Sequence, residues 1–185
     1  LLLISICKYR LHEEEFVRPV KKLVEKFDDV TVIRIRESKV KSEVSGDLES
    51  LKIEDKAVIC GTALKDFDYL NFDFSPLLNL RYLLGICAGY QILAKLFSAE
   101  LSNVKKIGVY SVKVIKQNPL FKSDFRAYFL HRLALKVDSV PEEFDVLAMQ
   151  NEEVAAFKVA DREFYGVSFH PEVFNPEIIE NFAKL

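Results

Sequence analysis

The tightest constraint on this chain lies at Leu84-Gly85-Ile86-Cys87-Ala88-Gly89-Tyr90-Gln91. There an apolar strand pattern runs into a cysteine with a glycine two residues to either side, and a helical pattern starts at once. A strand that turns directly into a helix brings the two backbones close together. Side chains at the flanking positions would collide with the neighbouring strand or helix, so glycine is needed there. The cysteine between them is expected to stand on a tight, strained turn above a sheet edge.

The surrounding pattern supplies the sheet. Leu1–Cys7 is a short apolar run, as in a strand buried on both faces. His12–Phe27 carries Phe16, Val20, Leu23, Val24 and Phe27 at helical spacing, with Pro19 near the helix start or at a break. Val30–Ile35 is short and β-branched, and Ala57–Cys60 is a short strand ending at Gly61. The polar stretch Glu37–Lys56 reads as a surface connection. Pro76 and Leu77 suggest a helix start, Tyr82–Ile86 is a buried strand, and Tyr90–Phe97 is a helix charged only at Lys95, so mostly buried.

The second half is denser in β structure. Val109–Ile115, Ala127–Leu130, Phe144–Met149, Val154–Val159 and Phe164–Phe169 read as strands with short turns, and Pro176–Leu185 as a closing helix. The expected fold class is α/β: a three-layer, open, mainly parallel sheet with helices on both faces and additional antiparallel strands in the C-terminal half. Half of the 185 residues are hydrophobic, enough for a sizeable core. With no repeat, low-complexity segment or linker, residues 1–185 are expected to form one domain.

Charge and cysteine content narrow the function. The net charge is -2, with both signs mixed along the chain, which favours neither nucleic acid nor a membrane as partner. The apolar N-terminal run reaches only seven residues before Lys8, against the roughly 20 a membrane span needs, and reads as a strand. The three cysteines, Cys7, Cys60 and Cys87, form no CxxC pair and no disulfide framework. A reducing cytoplasm is expected, with neither metal nor cofactor.

Cys87 is the candidate nucleophile. A helix N-terminus carries partial positive charge, which favours thiolate over thiol. The backbone N–H of Ala88 points the same way and can bind an oxyanion. A buried structural cysteine at a glycine-rich strand end is the alternative. The second element is Tyr165-Gly166-Val167-Ser168-Phe169-His170-Pro171-Glu172, a strand ending in His-Pro-Glu. A cysteine nucleophile needs an imidazole to take its proton, and the imidazole needs a carboxylate to fix its tautomer. His170 and Glu172 offer both, two residues apart at a strand end, with Pro171 stiffening the turn. Alone the tripeptide would read as an ordinary strand-ending turn; beside a cysteine elbow it reads as base and orienter. Of the other histidines, His12 lies in a charged stretch and is expected to be solvated.

Together, GICAGYQ and GVSFHPEV resemble the class I (triad) glutamine amidotransferases, and the resemblance covers essentially the whole chain. The segment VPEEFDVLA is similar to another family stretch. Within the family, these motifs look most like the glutaminase subunit or domain of GMP synthase. The resemblance implies a flavodoxin-like fold and a Cys87-His170-Glu172 triad that hydrolyses the side-chain amide of L-glutamine through a γ-glutamyl thioester. It implies an oxyanion hole completed by the Gly61 N–H beside that of Ala88. It also implies a substrate-binding role for Gln91, otherwise a polar residue on a helix face, and for Leu130, His131 and Arg132. Three differences stand out. Gly61-Thr62-Ala63-Leu64 replaces a glycine-rich loop, Leu130 replaces a polar residue before His131, and Ser168 replaces a frequent glutamine. No GxxxxGK[ST] loop is present, so acceptor activation is expected on a separate ATP-dependent synthase subunit that receives the ammonia. Two other readings use the same residues: a stand-alone amide hydrolase, and a non-catalytic relative that binds a ligand or partner.

Overall fold

The computed structural model describes residues 1–35 and 56–185. The expected surface connection Glu37–Lys56 therefore lies outside the described residues, apart from Lys56, which opens a strand.

The described residues form a nine-stranded sheet, in the order β2-β1-β3-β4-β9-β8-β7-β5-β6. The first five neighbours run parallel: β2 (Thr31–Arg34), β1 (Leu2–Ser5), β3 (Lys56–Ile59), β4 (Tyr82–Ile86) and β9 (Glu163–Val167). β8 (Glu153–Val159), β7 (Phe144–Gln150), β5 (Ser102–Val114) and β6 (Phe125–Ala134) continue it antiparallel. The chain thus has the expected α/β architecture, with its antiparallel strands in the C-terminal half.

Successive residues of a strand face opposite sides of a sheet, and the two core layers follow that alternation. Leu3, Val58, Leu84 and Ile86 face one layer, built with α1 (Arg10–Phe16), α2 (Arg18–Val24) and the C-terminal α5 (Pro176–Ala183). Ile4, Ala57, Ile59 and Leu83 face the other, built with α3 (Ala88–Leu96) and the 3-10 turns Asp68–Asn71 and Ser75–Asn79. The helices α1 and α2 have seven residues each. That is below the ~12–15 at which an isolated helix becomes even marginal, so packing on the sheet holds them.

Several boundaries differ from the sequence reading, each for a local reason. The single helix expected over His12–Phe27 is two helices meeting at Val17. Pro19 sits in the first turn of the second, where its missing N–H leaves no bond unmade. The helix expected at Pro76 is the 3-10 turn Ser75–Asn79, cut short because the chain re-enters the sheet at Tyr82. Strands β5 and β6 are much longer than their apolar cores suggested. Their outer residues, such as Lys105, Lys113, Arg126 and Arg132, face solvent, so hydrophobicity under-reports the hairpin. A four-residue helix, α4 (Pro171–Phe174), starts directly after His170.

Candidate active site

Three adjacent parallel strands, β3, β4 and β9, end at the same edge of the sheet. Ligands of open α/β sheets sit beyond such carboxyl ends. β3 leads to Gly61, β4 to Cys87 and β9 to His170. The register places Ile59 beside Gly85 and Ile86 beside Val167, and the Cys87 N–H donates to the Val167 carbonyl at 2.8 Å. Strand pairing thus carries the elbow and the His-Pro-Glu segment side by side, although they are far apart in sequence.

Cys87 takes φ 51° and ψ −97°, a backbone conformation that a residue with a Cβ rarely adopts. The glycines around it allow the close approach the turn needs. A Cβ on Gly85 would lie 2.4 Å from the Gly89 carbonyl oxygen, and one on Gly89 would lie 2.4 Å from the Ile59 carbonyl oxygen. Ala88 is the first residue of α3, so its N–H has no intrahelical acceptor and stays available beside the sulfur.

The His170 imidazole is almost fully buried, and its Nδ1 lies 2.7 Å from Glu172 Oε1. The carboxylate can only accept while ionised, so Nδ1 carries a hydrogen toward it. Nε2 is buried and makes no hydrogen bond of normal geometry. Burial alone would push His170 down, but the charges of Cys87 and Glu172 and the hydrogen bond to Glu172 outweigh it and hold the imidazole well above the ordinary histidine value. The charge of Cys87 acts on this ring, while its thiol is turned to the Leu130 carbonyl oxygen at 3.4 Å. The other two cysteines are held as thiols: burial pushes Cys7 up to about 11 and Cys60 well above its usual value.

A small cavity of about 10 Å³ opens beside Cys87. Its walls include Thr62, Ala63, Ala88, Gln91, Leu130, His131 and Arg132, so most of the sequence-predicted residues meet there. Their roles in the geometry differ from one another. Leu130 offers its carbonyl oxygen to Cys87 rather than its side chain. Arg132 is exposed at the cavity. The Gln91 amide is held by protein groups at both ends: Oε1 accepts from the Tyr69 hydroxyl at 2.6 Å, and Nε2 donates to the Leu133 carbonyl at 3.1 Å. Gly61 lies against the imidazole, since a Cβ there would be 2.7 Å from His170 Cε1.

His131 turns its ring into a buried polar network. Its Nδ1 donates to the Ser168 carbonyl at 2.9 Å, and Nε2 lies 3.5 Å from Glu153 Oε2. Glu153 also pairs with the buried Lys106 ammonium at 2.7 Å, and Lys106 donates to Gln150 Oε1. Burial raises the Glu153 carboxyl, but hydrogen bonds from His131 and Lys106 and their charges outweigh it and leave it below the usual range. This network escaped the sequence reading because Lys106, His131 and Glu153 come from three separate strands.

The third histidine corrects an expectation. His12 is not simply solvated: its Nδ1 lies 2.8 Å from Asp66 Oδ2. The same oxygen accepts from the Thr62 hydroxyl at 2.7 Å and the Lys8 N–H at 3.2 Å. Burial pushes Asp66 up, but these bonds prevail and its carboxyl is held below the ordinary range. The loop that departs from the glycine-rich pattern is therefore fixed by side-chain hydrogen bonds. Among the described residues no group of three or more His, Cys, Asp or Glu side chains could hold a metal ion, and no helix is long and apolar enough to cross a membrane.

The family model for glutamine amidotransferase class-I matches residues 75–184, which include the elbow, the Leu130–Arg132 segment and the His-Pro-Glu turn. The chain belongs to the class I glutamine amidotransferases. Proteins named as one subunit of glutamine-hydrolysing GMP synthase are similar to this amidotransferase. That of Methanosphaera stadtmanae is 34% identical over 56% of this chain and 60% of its own. That of Methanocaldococcus jannaschii is 36% identical over 56% and 59%, and that of Methanococcus maripaludis 39% over 55% and 58%. The matches span about 60% of these relatives' length. Among solved structures, a Thermoplasma acidophilum protein described as a candidate GMP synthase component superposes with a TM-score of 0.76 at 21% identity, covering 100% of this chain and 92% of that one. A Thermotoga maritima glutamine amidotransferase gives 0.63 at 17% identity, covering 100% and 90%. Both share the fold of this amidotransferase.

Proposed function

We propose that this amidotransferase is a glutaminase that hydrolyses the side-chain amide of L-glutamine, with Cys87, His170 and Glu172 as its catalytic triad. The observation that carries the proposal is the buried His170 ring. Its Nδ1 is committed to Glu172, and its Nε2 is unpartnered within reach of the sulfur of a strained cysteine.

In the proposed reaction the Cys87 proton goes to His170 Nε2, and the sulfur attacks the carboxamide carbon. The developing oxyanion takes the N–H groups of Ala88 and Gly61. His170 returns the proton to the leaving nitrogen, the C–N bond breaks, and ammonia departs from a γ-glutamyl thioester. Water then gives a proton to Nε2 and attacks the thioester carbon. Glutamate leaves and the thiol is restored. Gln91, Arg132 and the main chain of Leu130–His131 line the cavity and would hold the substrate, Arg132 facing its α-carboxylate.

The ammonia would pass to a separate ATP-dependent synthase subunit in the cytoplasm. Support comes from relatives named as one subunit of a glutamine-hydrolysing GMP synthase. The test is exposure to a glutamine-analogue chloroketone or diazoketone followed by mass spectrometry. An adduct on Cys87, and ammonia release that Cys87→Ala abolishes without unfolding the chain, are the expected results. No adduct and no ammonia at high glutamine would overturn the glutaminase reading.

A further inference from the structure

The loop after β3 carries Gly61, the second oxyanion donor of the proposed reaction, and one buried carboxylate outside the triad holds that loop. The Gly61 backbone lies at the site, because a Cβ on it would be 2.7 Å from His170 Cε1. No residue from Gly61 to Asp66 takes a positive φ, so the loop does not turn on glycine-like backbone. It turns on Asp66, which is 5% exposed and lines the Cys87 pocket together with Thr62. The Asp66 N–H donates to the Ala63 carbonyl at 2.8 Å. Its Oδ2 takes the Thr62 hydroxyl at 2.7 Å, the His12 Nδ1–H at 2.8 Å and the Lys8 N–H at 3.2 Å.

The Gly61 peptide is bracketed by two of these fixed points. On the strand side, the Cys60 N–H donates to the Ile4 carbonyl at 3.0 Å, continuing the pairing of β3 with β1. On the loop side, the Thr62 side chain is tied to Asp66 by a bond to a carboxylate, a stronger kind than one between neutral groups. Peptide units move as planar plates, so a Thr62 released from Asp66 can turn the Gly61 unit with it. The oxyanion exists only after the thiolate has attacked. A misdirected donor therefore costs rate rather than substrate binding.

We propose that Asp66 is a positioning residue that, through the Thr62 hydroxyl, holds the Gly61 N–H in place as an oxyanion donor. The proposal rests on the glutaminase reading above. Thr62→Val keeps the branched shape and removes the hydroxyl, and Thr62→Ser restores it. Ammonia-release assays should show kcat falling about tenfold in Thr62→Val, the factor carried by one hydrogen bond to a charged group, with KM for glutamine within about twofold and Thr62→Ser close to wild type. Glutamate γ-semialdehyde gives an independent reading. The Cys87 thiol adds across its aldehyde, and the oxygen of the tetrahedral adduct takes the oxyanion position, so its inhibition constant should rise by the same factor. Iodoacetamide alkylates Cys87 by displacing iodide and forms no oxyanion, so its rate should not change. A site that had only loosened would shift KM and the alkylation rate as well.

A kcat of Thr62→Val within about twofold of wild type, a loss that Thr62→Ser shares, or a loss matched in the alkylation rate would overturn the proposal and leave the glutaminase reading intact. A wild-type chain without ammonia release or Cys87 adduct would overturn both. If Thr62→Val does not fold, Asp66→Asn reads the same bond from the other side. It keeps the shape, loses the charge, and should lower kcat at an unchanged alkylation rate; a kcat that survives it would overturn the proposal.

Discussion

Replacing Gly61 by alanine tests whether the proposed base, His170, and the loop after β3 are built to one tolerance. The new Cβ would sit 2.7 Å from His170 Cε1 and 3.3 Å from Nδ1. Carbon atoms pack at ~3.5 Å or more, so the ring must retreat by about 0.8 Å or the loop must lift. The ring has little room. Nδ1 is tied to Glu172 at 2.7 Å, the His170 N–H donates to the Tyr128 carbonyl at 2.8 Å, and Phe16 lies against the imidazole with ring centroids 5.5 Å apart. Overpacking of this kind costs about 1–3 kcal/mol of stability. Displacing a catalytic group by about 1 Å costs roughly a hundredfold in rate. Gly61→Ala should therefore fold with a lowered melting temperature and react about a hundred times more slowly with a glutamine-analogue diazoketone, while iodoacetamide still reaches Cys87. Alanine keeps the backbone N–H, and among the described glycines only Gly108 has a positive φ, so neither a lost oxyanion donor nor backbone strain would explain the loss. A rate within about threefold of wild type at an unchanged melting temperature would refute the reasoning.

Two further outcomes follow from the buried charges. Glu153→Gln leaves the buried Lys106 ammonium without its carboxylate, at a cost of about 3–5 kcal/mol and a melting temperature lower by roughly 10 °C at neutral pH. The folded Glu153 carboxyl lies below its unfolded value of ~4.3, so its stabilisation is present above that pH and is lost as the pH falls through the folded value. Melts of wild type and variant should converge as the pH falls through that folded value; a constant gap would contradict the assignment. At the proposed triad, Cys87→Ala removes the charge that raises His170 most, so imidazole NMR should show His170 titrating at a lower pH than in wild type. An unmoved titration would mean that the sulfur does not act on that ring.

Much of the site was legible because its chemistry is local in sequence. The Gly-x-Cys-x-Gly turn and the His-Pro-Glu turn each announce a conformation as well as a residue type, and parallel pairing of β4 with β9 brings them together. The five-strand parallel half was readable for a similar reason: strands buried on both faces are apolar without interruption. What escaped depends on partners that no spacing rule connects. Tyr69 meets Gln91 only because the fold brings its hydroxyl within a hydrogen bond of that amide, and Glu153 is paired only because the β5–β6 hairpin delivers Lys106 and His131 to it. The full length of the hairpin is not legible in hydrophobicity because charged residues such as Lys105, Lys113, Arg126 and Arg132 face solvent along it. His12 was misjudged because charge in the sequence around it said nothing of the Asp66 carboxylate waiting beyond β3.

The loop after β3 shows how a lost glycine pattern can keep a defined shape. Ala63 stands where the family's glycines allow close backbone approach, and the sequence alone suggested only a restriction. In the structure, Asp66 gathers the Thr62 hydroxyl, His12 and the Lys8 N–H onto one oxygen, and the Asp66 N–H closes a turn on the Ala63 carbonyl at 2.8 Å. Side-chain hydrogen bonds thus do what backbone permissiveness does elsewhere in the family. The consequence is a wall whose shape is set away from the elbow: one Asp66 carboxylate oxygen ties Thr62, which lines the Cys87 pocket, to His12 of α1.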